Sequence, residues 1–143
     1  MSPGELRETY VAAIQHDLVQ LDGEEHLAGV VRRPTPWFYG AVDENYPDLG
    51  PPADLLEETK QREEDMKAQG MCATGAANAA WEELDFADRY RDYVAESGAV
   101  EAALGTLEAR LEDGQDVVLV CYEGEDKRCH RHLLRDRLAA RLG

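Results

Sequence analysis

No apolar run in this chain of 143 residues reaches the ~18 to 20 residues that a helix needs to cross a bilayer. The opening MSPGELRE has neither the basic region nor the apolar core of a secretory signal, so a cytoplasmic protein is expected. Cysteine is scarce. Cys72, Cys121 and Cys129 are an odd set of three, which argues against a disulfide framework and for reduced thiols. Lysine is scarce too: Lys60, Lys67 and Lys127 are the only ones among 15 basic residues, against 30 acidic residues and a net charge of -15. A surface this acidic repels a phosphate backbone, whose binding depends on neutralisation by Lys and Arg, and general nucleic-acid binding is excluded. What is left is the composition of a protein from a salt-loaded cytoplasm, where at ~1 M salt the screening length falls to ~3 Å and self-repulsion largely vanishes. The melting temperature is therefore expected to rise from low to molar KCl. A value flat across that range refutes the halophilic reading.

The length suits one domain over residues 1–143. Its clearest strand is 116–121, where VVLV is apolar on both faces, as a covered parallel strand should be. HLAGVVRR, residues 26–33, has the same pattern and is stopped by Pro34 and Pro36. Helical spacing follows Pro51 and Pro52 up to Gly70, runs from an Asp85 cap to Gly98, continues through Val100, Leu104, Leu107 and Leu111 to Gly114, and returns after Arg128. Cys72 falls in a small-residue loop, MCATGAAN. Strands separated by helices predict an α/β fold: a three-layer sandwich with a small, mainly parallel sheet flanked by helices. The stretch ELRETYVAAIQHDLVQL fits either an amphipathic helix or a first strand, TYVAAIQ, ending at His16.

In an open parallel sheet, ligands bind beyond the carboxyl ends of the strands. That edge would receive Cys121 and Glu123 from the VVLV strand, Arg32 and Arg33 from HLAGVVRR, and His16 if TYVAAIQ is a strand. Cys129, His130 and Arg131 would occupy the first turn of the last helix, where free N–H groups and the helix dipole favour anions. A thiol there loses its proton more readily, its pKa falling from ~8.5 toward ~3.5 to 7.5. Arg131 and Arg128 can grip a carboxylate or phosphate by a planar two-point contact. The long loop PTPWFYGAVDENYPDLGPP, with Trp37 in it, is expected to form a lid or pocket wall, or else a structural cap over the sheet.

Two sharper motifs nearly fit. A phosphatase-like loop needs an arginine six residues after the strand-end cysteine, where this chain has Lys127, and Glu123, Glu125 and Asp126 would crowd a phosphate with like charge. A zinc site drawn from Cys121, Cys129 and His130 lacks any CxxC pair and matches no standard spacing. No metal and no cofactor is called for.

The segment VVLVCYEGEDKRCHRHLL resembles the strand, Cys, acidic residue, short loop and Cys-His-Arg of the family known as domain of unknown function 488, in its haloarchaeal form. GVVRRPTPWF is similar to that family's strand ending in arginine and proline, and YVAAIQH to its first strand, which ends in a histidine. The resemblance implies a three-layer α/β fold and a first strand with His16 at its end. It supports a site without naming a reaction.

The expected function is a small thiol-dependent enzyme. Arg32, Arg33, Arg131 and Arg128, with Trp37, would bind a small phosphorylated or carboxylated substrate. Cys121 or Cys129 would be the nucleophile and His16 or His130 the base, with Glu123 orienting one of them. Two alternatives stand beside it: a non-catalytic module that binds a nucleotide or an acidic partner, and a purely structural Cys-His-Arg cluster. No feature of the sequence speaks to oligomeric state.

Overall fold

The computed structural model describes residues 3–122 and 128–142. Among these, four strands form one wholly parallel sheet: β1 Leu6–Tyr10, β2 His26–Gly29, β3 Glu44–Asn45 and β4 Val117–Cys121, in the order β1-β4-β2-β3. The helices are α1 Val11–Gln15, α2 Pro36–Ala41, α3 Ala53–Ala68, α4 Ala73–Glu83, α5 Phe86–Glu96, α6 Gly98–Glu112 and α7 His130–Leu142, with one 3-10 turn at Pro47–Leu49.

The VVLV strand is the centre of the sheet. Every residue of β4 is buried, because β1 and β2 pair with it on either side and helices cover both faces. The register fixes which residues share a face: Tyr10 stands opposite Cys121 and Glu8 opposite Leu119, whereas Gly29 stands opposite Val120. Side chains alternate across a strand, so Glu8, Tyr10 and Cys121 point one way, toward α7, which packs on β1 and β4. Gly29 faces the other way and lies under Phe38 of α2; a Cβ there would come within 2.6 Å of the Phe38 ring. The result is a three-layer α/β sandwich. On the α7 side, α5 and α6 pack against α7, and the paired α3 and α4 pack against α5. Leu104, Leu107, Leu111, Leu134 and Leu138 are fully buried in the core there.

The N-terminal segment differs from both readings of the sequence. The strand ends at Tyr10, and TYVAAIQ turns at once into α1, which buries Val11 and Ala13. The strand is the more polar LRETY, because β1 is an edge strand with one neighbour and leaves room for charged side chains. His16 consequently stands exposed at the C-terminal end of α1, its N–H on the Ala12 carbonyl at 3.0 Å, and not at a strand end.

Elsewhere the differences are smaller. β2 ends at Gly29, so Arg32 and Arg33 sit in the loop beyond it. The loop 34–52 contains α2, the short edge strand β3 and the 3-10 turn, with Phe38, Tyr46 and Leu49 buried, so most of it caps the sheet. MCATGAAN opens α4, and the Cys72 sulfur accepts from the Gly75 N–H at 3.3 Å. Asp85 precedes α5 in a left-handed conformation (φ 52°) and makes no side-chain cap, whereas Ser97 caps α6 by accepting from the Val100 N–H at 3.3 Å. No described helix is long and apolar enough to cross a membrane.

Candidate functional site

β4 delivers Cys121 at its carboxyl end, and the chain returns to place Cys129 just before α7. Their sulfurs lie 2.8 Å apart without a disulfide between them, and both cysteines are buried. Two neighbours define this pair. Arg131, one residue into α7, donates from Nη1 to the Cys121 sulfur at 2.6 Å. His130 turns Nδ1 toward the Cys129 sulfur at 3.6 Å and sets Nε2 2.6 Å from the Val30 carbonyl oxygen.

The second contact fixes the proton on the imidazole. A carbonyl only accepts, so Nε2 carries the hydrogen, and in the neutral ring Nδ1 is left as the acceptor facing Cys129. The Tyr90 ring meets His130 edge-on at 5.5 Å and holds the plane. Tyr90 is itself anchored, its hydroxyl donating to the Leu49 carbonyl at 2.5 Å.

Burial pushes the Cys121 thiol well above its ordinary value, and a hydrogen bond from and charge on Cys129 push it the same way; His130 and Arg131 oppose the rise without overcoming it. Cys121 therefore stays a thiol, and Cys129 is the member of the pair beside the imidazole.

Arg131 is turned inward and does not line the cavity at the strand ends. It is 2% exposed, and it lies beneath the thiols with its Nε 3.5 Å from Glu8 and its guanidinium 5.8 Å from the centre of the Tyr10 ring. Glu8 also pairs with Arg135 at 3.3 Å and with His132. The expectation that Arg131 binds the substrate's anion is thus corrected: it braces Cys121 and joins α7 to β1. The reason is a carboxylate on an edge strand far away in the sequence, which draws the side chain inward.

The thiols and His130 open on a cavity of about 240 Å³. Among the described residues, Arg32, Arg33, Lys60 and Arg128 line it with one carboxylate, Glu63, and its apolar wall includes Trp81, Phe86 and Tyr122. Arg32 also pairs with Asp48 at 3.7 Å, so these cations stand among carboxylates of a chain with net charge -15. Arg32 is held rigidly: its Nε donates to the Pro51 carbonyl at 2.9 Å and its Nη2 to the Tyr93 hydroxyl at 2.8 Å. Arg33 pairs with Glu57 at 2.8 Å and Arg128 with Glu82, both at the surface, where such pairs are weak and readily exchanged for another anion. Lys60 is exposed and has no ion-pair partner among the described residues.

Close packing supports this wall. A Cβ on Gly50 would lie 2.4 Å from the Arg32 backbone nitrogen. Gly50→Ala is expected to destabilise the fold by about 1–3 kcal/mol through overpacking, read as a lower urea midpoint, and an unchanged midpoint would show that the Arg32 backbone yields freely.

The structure therefore brings together Cys121, Cys129, His130, Arg32, Arg33 and Arg128, and places Arg131 behind them. His16 lies outside the cavity wall. Trp37 is half-exposed and meets the Tyr122 ring edge-on at 5.8 Å without lining the cavity. Glu123 lies outside the described residues. Sequence reasoning missed Lys60 and Phe86, on helices that read only as solvated or core-facing, and Trp81, on α4, where no helix was expected. Among the described residues no group of three or more His, Cys, Asp or Glu side chains is arranged to hold a metal ion.

Together these features define a parallel α/β sandwich with a cysteine–histidine cluster at the strand ends. Residues 11–142 match the family DUF488-N3a, described as the active DUF488-N3 subclade, and the chain belongs to that family. No curated protein and no solved structure matches it.

Proposed function

We propose that this chain is a thiol-dependent enzyme acting on a small phosphorylated or carboxylated substrate, with Cys129 as nucleophile and His130 as base. The observation that carries the proposal is the His130 imidazole, whose Nε2–H is committed to Val30 so that Nδ1 faces the Cys129 sulfur beside a cavity walled by cations. In this reading Nδ1 takes the Cys129 proton and the thiolate attacks the substrate's electrophilic carbon or phosphorus. The S–X bond forms, the bond to the leaving group breaks with its electron pair, and His130 returns the proton to that group. Water then cleaves the covalent intermediate. Arg33, Lys60 and Arg128, with Arg32 held in place, balance the substrate's charge. The family's description as the active subclade supports a catalytic role.

The burial of both thiols favours a second reading, in which the cluster is architecture and the cavity only binds its anion. Turnover separates the two. On a panel of phosphate monoesters and carboxylate-bearing esters, Cys129→Ala should reduce turnover to background and His130→Ala by about 10²- to 10⁴-fold. Lys60→Ala should chiefly raise KM. Turnover that survives Cys129→Ala would remove the nucleophile from the scheme.

A further inference from the structure

We propose that Cys121 and Cys129 are a dithiol redox centre, oxidised by a hydroperoxide to an intramolecular disulfide, with Cys129 attacking first and Cys121 resolving. The inference shares Cys129 and His130 with the reading above but uses none of the cavity cations and no hydrolytic substrate, so it is tested separately.

The geometry carries it. The two sulfurs are 2.8 Å apart, against ~2.05 Å in a disulfide, so closure asks for a small side-chain rotation. Both thiols border the cavity, and Cys129 is the one that faces the imidazole, which assigns it the attack. Cys121 has the Arg131 guanidinium on its sulfur, a fixed positive charge where a second thiolate must develop. Cys72, the third cysteine, is exposed at the start of α4 and is occupied with the Gly75 N–H.

The chemistry balances in two steps. The Cys129 thiolate attacks the distal peroxide oxygen; the S–O bond forms, the O–O bond breaks, and the departing alkoxide takes a proton from His130 to leave as an alcohol. Cys129 is now a neutral sulfenic acid, so the charge that opposed ionisation of Cys121 has gone while Arg131 remains. Cys121 then attacks the Cys129 sulfur, the S–S bond forms, and hydroxide leaves with the Cys121 proton as water. Two thiols and one hydroperoxide become one disulfide, one alcohol and one water, and a dithiol reductant restores the pair.

The test treats the folded, full-length protein in molar KCl with equimolar hydrogen peroxide, denatures it, labels free thiols with a maleimide and reads the intact mass. Of the three cysteines, only Cys72 should take label, with a loss of two hydrogens from the unlabelled mass and full reversal by dithiothreitol. In Cys121→Ser the same exposure should leave Cys129 as a sulfenic acid trapped by dimedone. The proposal is overturned if the wild type keeps all three thiols while free cysteine in the same tube is oxidised, or if the disulfide includes Cys72. The wild-type mass decides alone if the serine variant does not fold. Turnover measured without peroxide bears only on the hydrolytic reading, so the two failures are distinguishable.

Discussion

Arg131→Ala should cost the folded state about 3–5 kcal/mol, the range for removing one member of a buried charged cluster. The side chain is 2% exposed and reaches Cys121, Glu8 and the Tyr10 ring, so its loss opens a void and strips the Cys121 sulfur of a donor at once. Glu8 keeps Arg135 and His132, which spares the variant a wholly unpaired carboxylate. Urea denaturation in matched KCl reads the effect. Arg135→Ala, at the exposed rim of the same network, serves as the control, with an expected loss below about 1 kcal/mol. If Arg131→Ala fell in that lower range as well, the guanidinium would not be bracing the site.

The second large effect concerns thiol reactivity. Cys129 should be alkylated by iodoacetamide near pH 6 at least about tenfold faster than Cys72, because the thiolate is the reacting form and His130 accepts the Cys129 proton. Cys121 should stay inert until the protein unfolds, its thiol held up by burial and by Cys129. Site-resolved mass spectrometry separates the three. Equal rates at Cys72 and Cys129 would mean that no stabilised thiolate exists. Stability against pH offers a second readout with a defined sign. The Cys121 thiol is raised above its ordinary 9.0, so the unfolded chain loses this proton first. Its contribution is whole below about pH 9 and fades as the pH climbs through the folded-state value. Burial raises the Tyr90 hydroxyl as well, which steepens the alkaline loss. On the acid side, burial lowers His26 beneath 6.5, and its contribution is lost as the pH falls below that value. Cys121→Ser should remove the first part of the alkaline limb and leave the acid limb unchanged.

How much of this was legible depended on whether burial left a local signature. β4 was plain, because a central parallel strand is apolar on both faces and its end delivers Cys121. The position of Cys129 and His130 at the start of the last helix was also readable from their place after the acidic stretch. β1 was misplaced because an edge strand carries Arg7 and Glu8 and has no apolar run, while the apolar VAAI beside it belongs to α1. β3, at two residues, is too short to leave a pattern. Arg131 misled for a different reason: in the first turn of the last helix it reads as a grip for an anion, and its inward turn depends on Glu8 across the sheet. Lys60 looked like an ordinary surface lysine of α3, since nothing local shows that α3 walls a cavity.

The placement of β4 between β1 and β2 also dictates an order of assembly on the ribosome. β1 and β2 pair with β4 and not with each other, and the Glu5 N–H finds its acceptor on Asp116, 111 positions later. β1 must therefore emerge and wait without a partner, and β2 with only the two-residue β3 on one edge, while the local contacts of α3 to α6 consolidate. Sheet closure is the late, non-local and slow event. Only when α7 follows β4 do the two sulfurs come within reach of one another, so a nascent chain arrested before β4 would carry packed helices, no sheet beyond the short β2–β3 pairing and no trace of the thiol pair.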